Sequence, residues 1–217
     1  MKTVTARILH AALRLFAEKG AKQIAISDLA KEAGLSRGTI YNNLENPDEL
    51  FNILCDLMYL ELRQTSLATD SEIDDPALRL ALIIRKVIRR VYEEPDWGRF
   101  VAQFGMIDPR LGKFWGKLPH QLLRTGLEQG RFAYRPDQIH SVTALGGGAV
   151  MGATSLVLGG LLTWRKSGSD TAELILRSVG IPEEEAHALS TIPFEPLPRV
   201  DFARVQLEGT IREHILG

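Results

Sequence analysis

One cysteine, Cys55, in 217 residues rules out an internal disulfide and fits a reducing compartment. Neither sign of charge prevails. Lysine and arginine number 26 against 27 acids, a formal net charge of −1, so any surface for nucleic acid must be local. No stretch alternates apolar and polar residues convincingly enough to be a strand. The opening residues MKTVTARILHAALRLF lack the long apolar core and small-residue cleavage site of a signal peptide, and the sequence predicts a cytoplasmic protein. The five histidines, His10, His120, His140, His187 and His214, show neither H-E-x-x-H nor Cys/His ligand spacing, and G-x-S-x-G is absent. No metal, no cofactor and no catalytic residue is expected, so a small helical enzyme is the weaker alternative.

What the chain does contain is helical periodicity. Leu9, Ala12, Leu13 and Phe16 recur as one helix face, with Gly20 as its stop. Ser27 is placed as the cap of a short helix holding Leu29, Ala30 and Ala33 and ended by Gly34; Ser36 caps another reaching Leu44. Asn46, Pro47, Asp48 and Glu49 open a fourth helix, apolar at Leu50, Leu54, Leu57 and Met58. Beyond Pro76, helices are predicted near 76–93, 97–106, 109–128, 137–165, 170–179 and 183–190. EEPDWG, IDPR, GRFAYRPD and KSGSD supply the breaks. TIPFEPLPRV, with three prolines, should be extended and lead to a terminal helix near 201–215. The fold class is all-α, with a helix-turn-helix domain over residues 1–50 and a larger helical effector-binding and dimerisation domain over 51–217.

Two short helices joined by a tight glycine turn are the sequence form of a helix-turn-helix, whose second helix enters the major groove. SRGTIYNN suits that role. Ser36 and Thr39 offer hydroxyls to phosphate, Gly38 allows close approach, and Arg37 can meet phosphate or guanine. Tyr41 reaches a phosphate, Asn42 and Asn43 read or brace, and Ile40 and Leu44 point into the core. Residues 1–44 carry Lys2, Arg7, Arg14, Lys19, Lys22, Lys31 and Arg37 against Glu18, Asp28 and Glu32, a local excess of +4 over an acidic body.

The stretch from ILHAALRLFAEKG through ISDLAKEAGLSRGTIY to DELF resembles the DNA-binding head of the TetR/AcrR family of bacterial transcriptional regulators, over roughly residues 6–55. The resemblance implies phosphate contacts at Ser27 and Ser36. It places Arg37, Gly38 and Thr39 at the leading end of the recognition helix, and Tyr41 and Asn42 at its phosphate- and base-facing positions. The chain also departs from the family. Leu44 stands for a common Phe, Pro47 replaces a phosphate-binding Lys, Glu45 adds repulsion, and Asn42 and Asn43 stand where His or Tyr is frequent. The operator sequence therefore does not transfer.

The same resemblance implies a homodimer on double-stranded operator DNA, a repressor released by a small apolar effector. Its two recognition helices would sit one DNA turn, about 34 Å, apart, and an effector would move the helix starting at Asn46. Candidate walls of the effector pocket are Trp97, Phe100, Phe104, Phe114, Trp115 and Met151, with His120 as a polar anchor. The uncharged, six-glycine run TALGGGAVMGATSLVLGGLLTW from Thr143 to Trp164 lies within 142–164, long enough for a membrane span, a second alternative reading. It is no phosphate loop, because Met151 stands where the third glycine should be. It falls where the family's dimer helix lies. Each interior glycine costs a helix about 1 kcal/mol relative to alanine, which close packing must offset. Gly148 and Gly152 offer the small-residue face, with Leu156 and Leu174 in the same expected interface; Gly159 and Gly160 mark a bend or an end.

Overall fold

The computed structural model describes residues 4–197 apart from positions 21, 45 and 70–72, and the side chains of 63–69 and 113–115 lie outside that description. The terminal helix expected near 201–215, Glu45, Pro198 and the side chains of Phe114 and Trp115 thus fall outside the described residues. Within them every regular element is helical, as the sequence predicts. The α-helices are α1 (Val4–Lys19), α2 (Ile26–Ala33), α3 (Arg37–Asn43), α4 (Leu50–Thr69), α5 (Pro76–Glu93), α6 (Pro95–Phe104), α7 (Pro109–Glu128), α8 (Ile139–Leu158), α9 (Trp164–Ser178) and α10 (Glu183–Thr191). They form two compact units that divide inside α4, between Glu61 and Leu62. The boundary placed at residue 50 from the sequence is where that helix begins.

In the first unit, α1 buries Leu9, Ala12, Leu13 and Phe16, the face its periodicity marks. Phe16 meets Phe51 of α4 edge-on, centroids 5.2 Å apart. Leu50, Leu54, Cys55 and Met58 are buried beside it, so the lone thiol is a core residue. Burial of each such leucine, phenylalanine or methionine contributes about 1.5–3 kcal/mol.

In the second unit α5 is the hub, packed against α6, α7, α8, α9 and α10. Its start is held by Asp75, whose Oδ1 accepts from the Ala77 N–H at 2.9 Å. Arg131, in the turn after α7, donates to both Asp75 oxygens at 2.9 and 3.0 Å and to Glu185 of α10 at 2.6 Å. So much of α5 is covered that Arg85 is only 8% exposed. Its guanidinium finds partners in the extended segment 192–197, donating to the Ile192 carbonyl at 2.6 Å and lying 4.6 Å from the Phe194 ring. Arg89, one turn on, lies over Trp164 and Phe194, and those rings meet edge-on. The proline-bearing stretch is thereby a strap across α5.

Several expected boundaries shift. Ser27 does not cap α2: the helix starts earlier, with the Asp28 and Leu29 N–H groups both donating to the Ala25 carbonyl at 3.0 Å. Pro95 opens α6 at its first helical position, two residues before the expected start. α8 ends at Leu158, and Gly160, at φ +70°, turns the chain away. KSGSD is no break but part of α9, which Thr163 caps by accepting from the Lys166 N–H. Its small residues serve packing: Ser167 donates to the Ala153 carbonyl, and a Cβ on Gly168 would stand 3.6 Å from the Arg85 backbone.

Among the described residues, 136–158 is the one helical stretch long and apolar enough to cross a membrane. Its α8 portion instead packs against α5, α6, α7 and α9.

Candidate functional site

The link between α2 and α3 is built by one glycine. Gly34 adopts φ +63° and ψ +39°, a left-handed conformation open to glycine at little cost, and the Leu35 N–H returns to the Ala30 carbonyl at 2.9 Å. Arg7 of α1 fastens the turn from below, donating to the carbonyls of Ala33 and Gly34 at 2.8 and 2.7 Å. Ser36 then caps α3, its Oγ accepting from the Thr39 N–H at 3.0 Å, as the sequence predicts.

The sequence-derived site residues sort by orientation on α3. Ile40 and Leu44 are buried, so the shorter Leu44 fills the core position without Phe. Arg37, Gly38, Asn42 and Asn43 are exposed, as is Tyr41 at 57%, and Ser27 is exposed on the first turn of α2. Asn43 donates to the Thr39 carbonyl at 2.8 Å, bracing its own helix. Arg37, Tyr41 and Asn42 have no hydrogen bond or ion pair among the described residues. Several of the head's cations are committed to partners within it. Arg7 holds the turn, Arg14 pairs with Glu18 and Glu32, and Lys19 bonds Asp28, whose carboxyl that contact holds below the ordinary carboxylate range.

In the second unit, α5, α7, α8 and α9 enclose a cavity of about 40 Å³ lined by aliphatic groups such as Leu80, Ile84, Leu122, Val150 and Ile175. Among the described residues Thr143 is the one polar side chain on its wall, and its hydroxyl donates to the Ile139 carbonyl at 2.7 Å. The described aromatic residues offered from the sequence do not line this cavity. Trp97, Phe100 and Phe104 are buried core of α6, and Met151 is half-buried outside the cavity wall. His120 borders a separate open cleft. The aliphatic walls were hidden in the sequence because cavity-lining and core positions share one periodicity; the helix-interior Pro119, which lines the cavity, was the one visible irregularity.

One face of α8 is left uncovered. Ala144, Leu145, Gly148, Gly152 and Leu156 are exposed along it, and a Cβ on Gly148 or Gly152 would meet nothing within 4 Å. Leu174 of α9 is 63% exposed.

A helix-turn-helix with unengaged polar side chains on its second helix, joined to an all-helical unit, defines the class: a helix-turn-helix protein with a helical body. Comparisons with known proteins agree. A family model described as bacterial regulatory proteins of the tetR family matches residues 8–52, and a tetracyclin repressor-like C-terminal domain matches residues 75–191. The HTH-type transcriptional regulator TtgR of Pseudomonas putida is 32% identical over 89 residues, 41% of each chain. An uncharacterised HTH-type transcriptional regulator of Mycobacterium tuberculosis is 30% identical over 106 residues, 49% of this chain and 51% of its own. The chain spans about half the length of the curated relatives it matches. Among solved structures, RolR in complex with resorcinol aligns with a TM-score of 0.66 at 25% identity, covering 90% of this chain and 96% of its own. The fatty acid degradation regulator FadR from Bacillus halodurans shares the fold, with a TM-score of 0.69 at 18% identity over 83% of this chain and 98% of its own. The chain belongs to the TetR family of bacterial regulatory proteins.

Proposed function

We propose that this chain is a cytoplasmic transcriptional repressor that binds double-stranded operator DNA as a homodimer and leaves it when a small apolar effector enters the second unit. The observation that carries the reading is α3, a capped helix after a tight glycine turn that presents Arg37, Tyr41 and Asn42 to solvent without protein partners. Arg37 meets guanine or phosphate, Asn42 reads a base edge, and Tyr41 and Ser27 take phosphate. Asn43 is committed to the Thr39 carbonyl of its own helix, and Gly38 lets the backbone come close.

The uncovered face of α8, with Gly148, Gly152 and Leu156, and the neighbouring Leu174 serve as the dimer surface. An exposed apolar stripe on a folded helix is the usual mark of a missing partner. The effector is apolar because the cavity wall offers aliphatic groups and one committed hydroxyl. RolR, which binds resorcinol, supports a ring compound as the class of ligand. At about 40 Å³ the cavity is well short of the roughly 150 Å³ that holds benzene in an engineered protein core. Entry therefore parts α5, α7 and α8, and an effector bound only to the parted state shifts the population away from the DNA-binding one.

Mobility-shift titration on DNA recovered by genomic footprinting tests the reading. Arg37→Ala and Tyr41→Ala should each cost about 1–3 kcal/mol, roughly 5- to 150-fold in affinity, while the dimer stays intact. Unchanged affinity in both variants would overturn the assignment of α3.

A further inference from the structure

A broad cleft of about 740 Å³ opens between α7 and α8 in the second unit. Thr143 and Gly147 border it as well as the apolar cavity, but its chemistry is different. One stripe of α7 faces it: Lys117, His120, Gln121 and Arg124 recur at i, i+3, i+4 and i+7. His140, near the start of α8, stacks on His120 with ring centroids 5.1 Å apart and planes inclined by 30°. Among the described residues, Lys117 and Arg124 are the charged side chains lining the cleft. Lys117 has no hydrogen bond or ion pair among the described residues. Arg124 pairs with Glu128 at 2.8 Å, but both side chains are more than three-fifths exposed, so the pair yields readily to a competing anion.

Glycines form another part of the described wall. Gly112 and Gly116 contribute no side chains, and a Cβ on either would meet nothing within 4 Å. Met106 lies beside Gly147 at the far edge. The volume falls within the roughly 300–1,000 Å³ usual for small-molecule sites.

We propose that this cleft binds a planar organic anion, an aromatic carboxylate, at a site separate from the apolar cavity. The carboxylate is held by Lys117 and Arg124, and the ring lies along the glycine wall and against the imidazole pair. A small inorganic anion would leave the glycine wall and Met106 without a partner. A divalent metal ion would find two imidazoles and two repelling cations.

Isothermal titration of the full-length protein with 2-naphthoate, its neutral counterpart 2-naphthamide and inorganic phosphate tests this directly and requires no operator DNA. The expected result is saturable binding of 2-naphthoate at least about tenfold tighter than the amide, the effect of one charge-assisted contact. Lys117→Ala and Arg124→Ala, both at exposed positions, should each weaken 2-naphthoate about tenfold without changing the helical circular dichroism. His140→Ala should weaken the acid and the amide alike, through loss of the stacked ring. The proposal is overturned if 2-naphthoate shows no saturable binding, or if acid and amide bind equally. It is also overturned if Lys117→Ala changes nothing, which would place the ligand in the apolar cavity, or if phosphate competes as well as the aromatic acid.

Discussion

Asp75 caps α5 and gathers Arg131 and, through it, Glu185 of α10, so one carboxylate ties three parts of the second unit together. The Arg131 guanidinium holds the Asp75 carboxyl below the ordinary carboxylate range. A lowered pKa in the folded state means the stabilisation is complete above the unfolded value of about 3.9 and is lost as pH falls below it. Asp75→Asn keeps a capping side chain but removes the ion pair and should cost about 0.5 kcal/mol at neutral pH; Asp75→Ala should add about 1 kcal/mol for the lost cap. In denaturant melts, the gap between the wild type and Asp75→Asn should stay constant above about pH 5 and narrow as pH falls through about 4 and below, as the lowered carboxyl takes up its proton; a gap that does not narrow at all on acidification to about pH 2 would contradict the ion pair's role. Residue identity in the sequence does not separate such tasks. Arg7 and Arg37 look equally suited to phosphate, yet Arg7 faces two carbonyls left unpaired at the end of α2 and Arg37 faces solvent. Only the position of α1 beneath the turn makes the difference. Ser36, by contrast, was legible as a cap because a cap depends on neighbours three residues away.

At the scale of elements, local signals were read well where they had strong punctuation. Pro76 and Pro109 begin helices at their first positions, and α5 and α7 have the limits the sequence predicts. α9 escaped because KSGSD carries turn-forming residues, whose small size in fact lets α9 approach Arg85 and Ala153. α8 shows the same ambiguity in its glycines. Gly147 is buried beside Met106, whereas Gly148 and Gly152 face outward with open space around them. This separation permits a clean test. Gly152→Glu should strengthen the isolated helix by a few tenths of a kcal/mol or more, since glycine is the poorer helix former. If the outward face is a dimer surface, the same change should nevertheless convert the protein to a folded monomer in sedimentation velocity and abolish cooperative operator binding. A Gly152→Glu protein that still sediments as a dimer would exclude this face.

For the whole molecule, the sequence was informative about class and less so about ligand. The DNA-facing residues proposed for the head lie in one short contiguous stretch, so they can be nominated from the sequence. The body's cavity is assembled from single residues of α5, α7, α8 and α9 far apart in the chain, and no local pattern distinguishes Leu80 or Val150 from any other core position. The aromatics drew attention instead, and their bulk is what places Trp97 and Phe100 in the core. The two units should also respond differently to salt. Phosphate contacts release counterions, so operator affinity should fall steeply as salt rises. The strap at 192–197 holds Arg85 and Arg89 by carbonyl oxygens and ring faces rather than by exposed carboxylates alone, and such partly buried contacts are little screened. Calorimetry in about 1 M salt, where the screening length is near 3 Å, should find the second unit's melting temperature hardly changed, while Phe194→Ala lowers it at every salt concentration. A sharp loss of melting temperature in the wild type at high salt would contradict that account of the strap. The consequence is practical: washing the protein off DNA with concentrated salt should return a body whose strap at 192–197 is still fastened, ready to bind again on dilution.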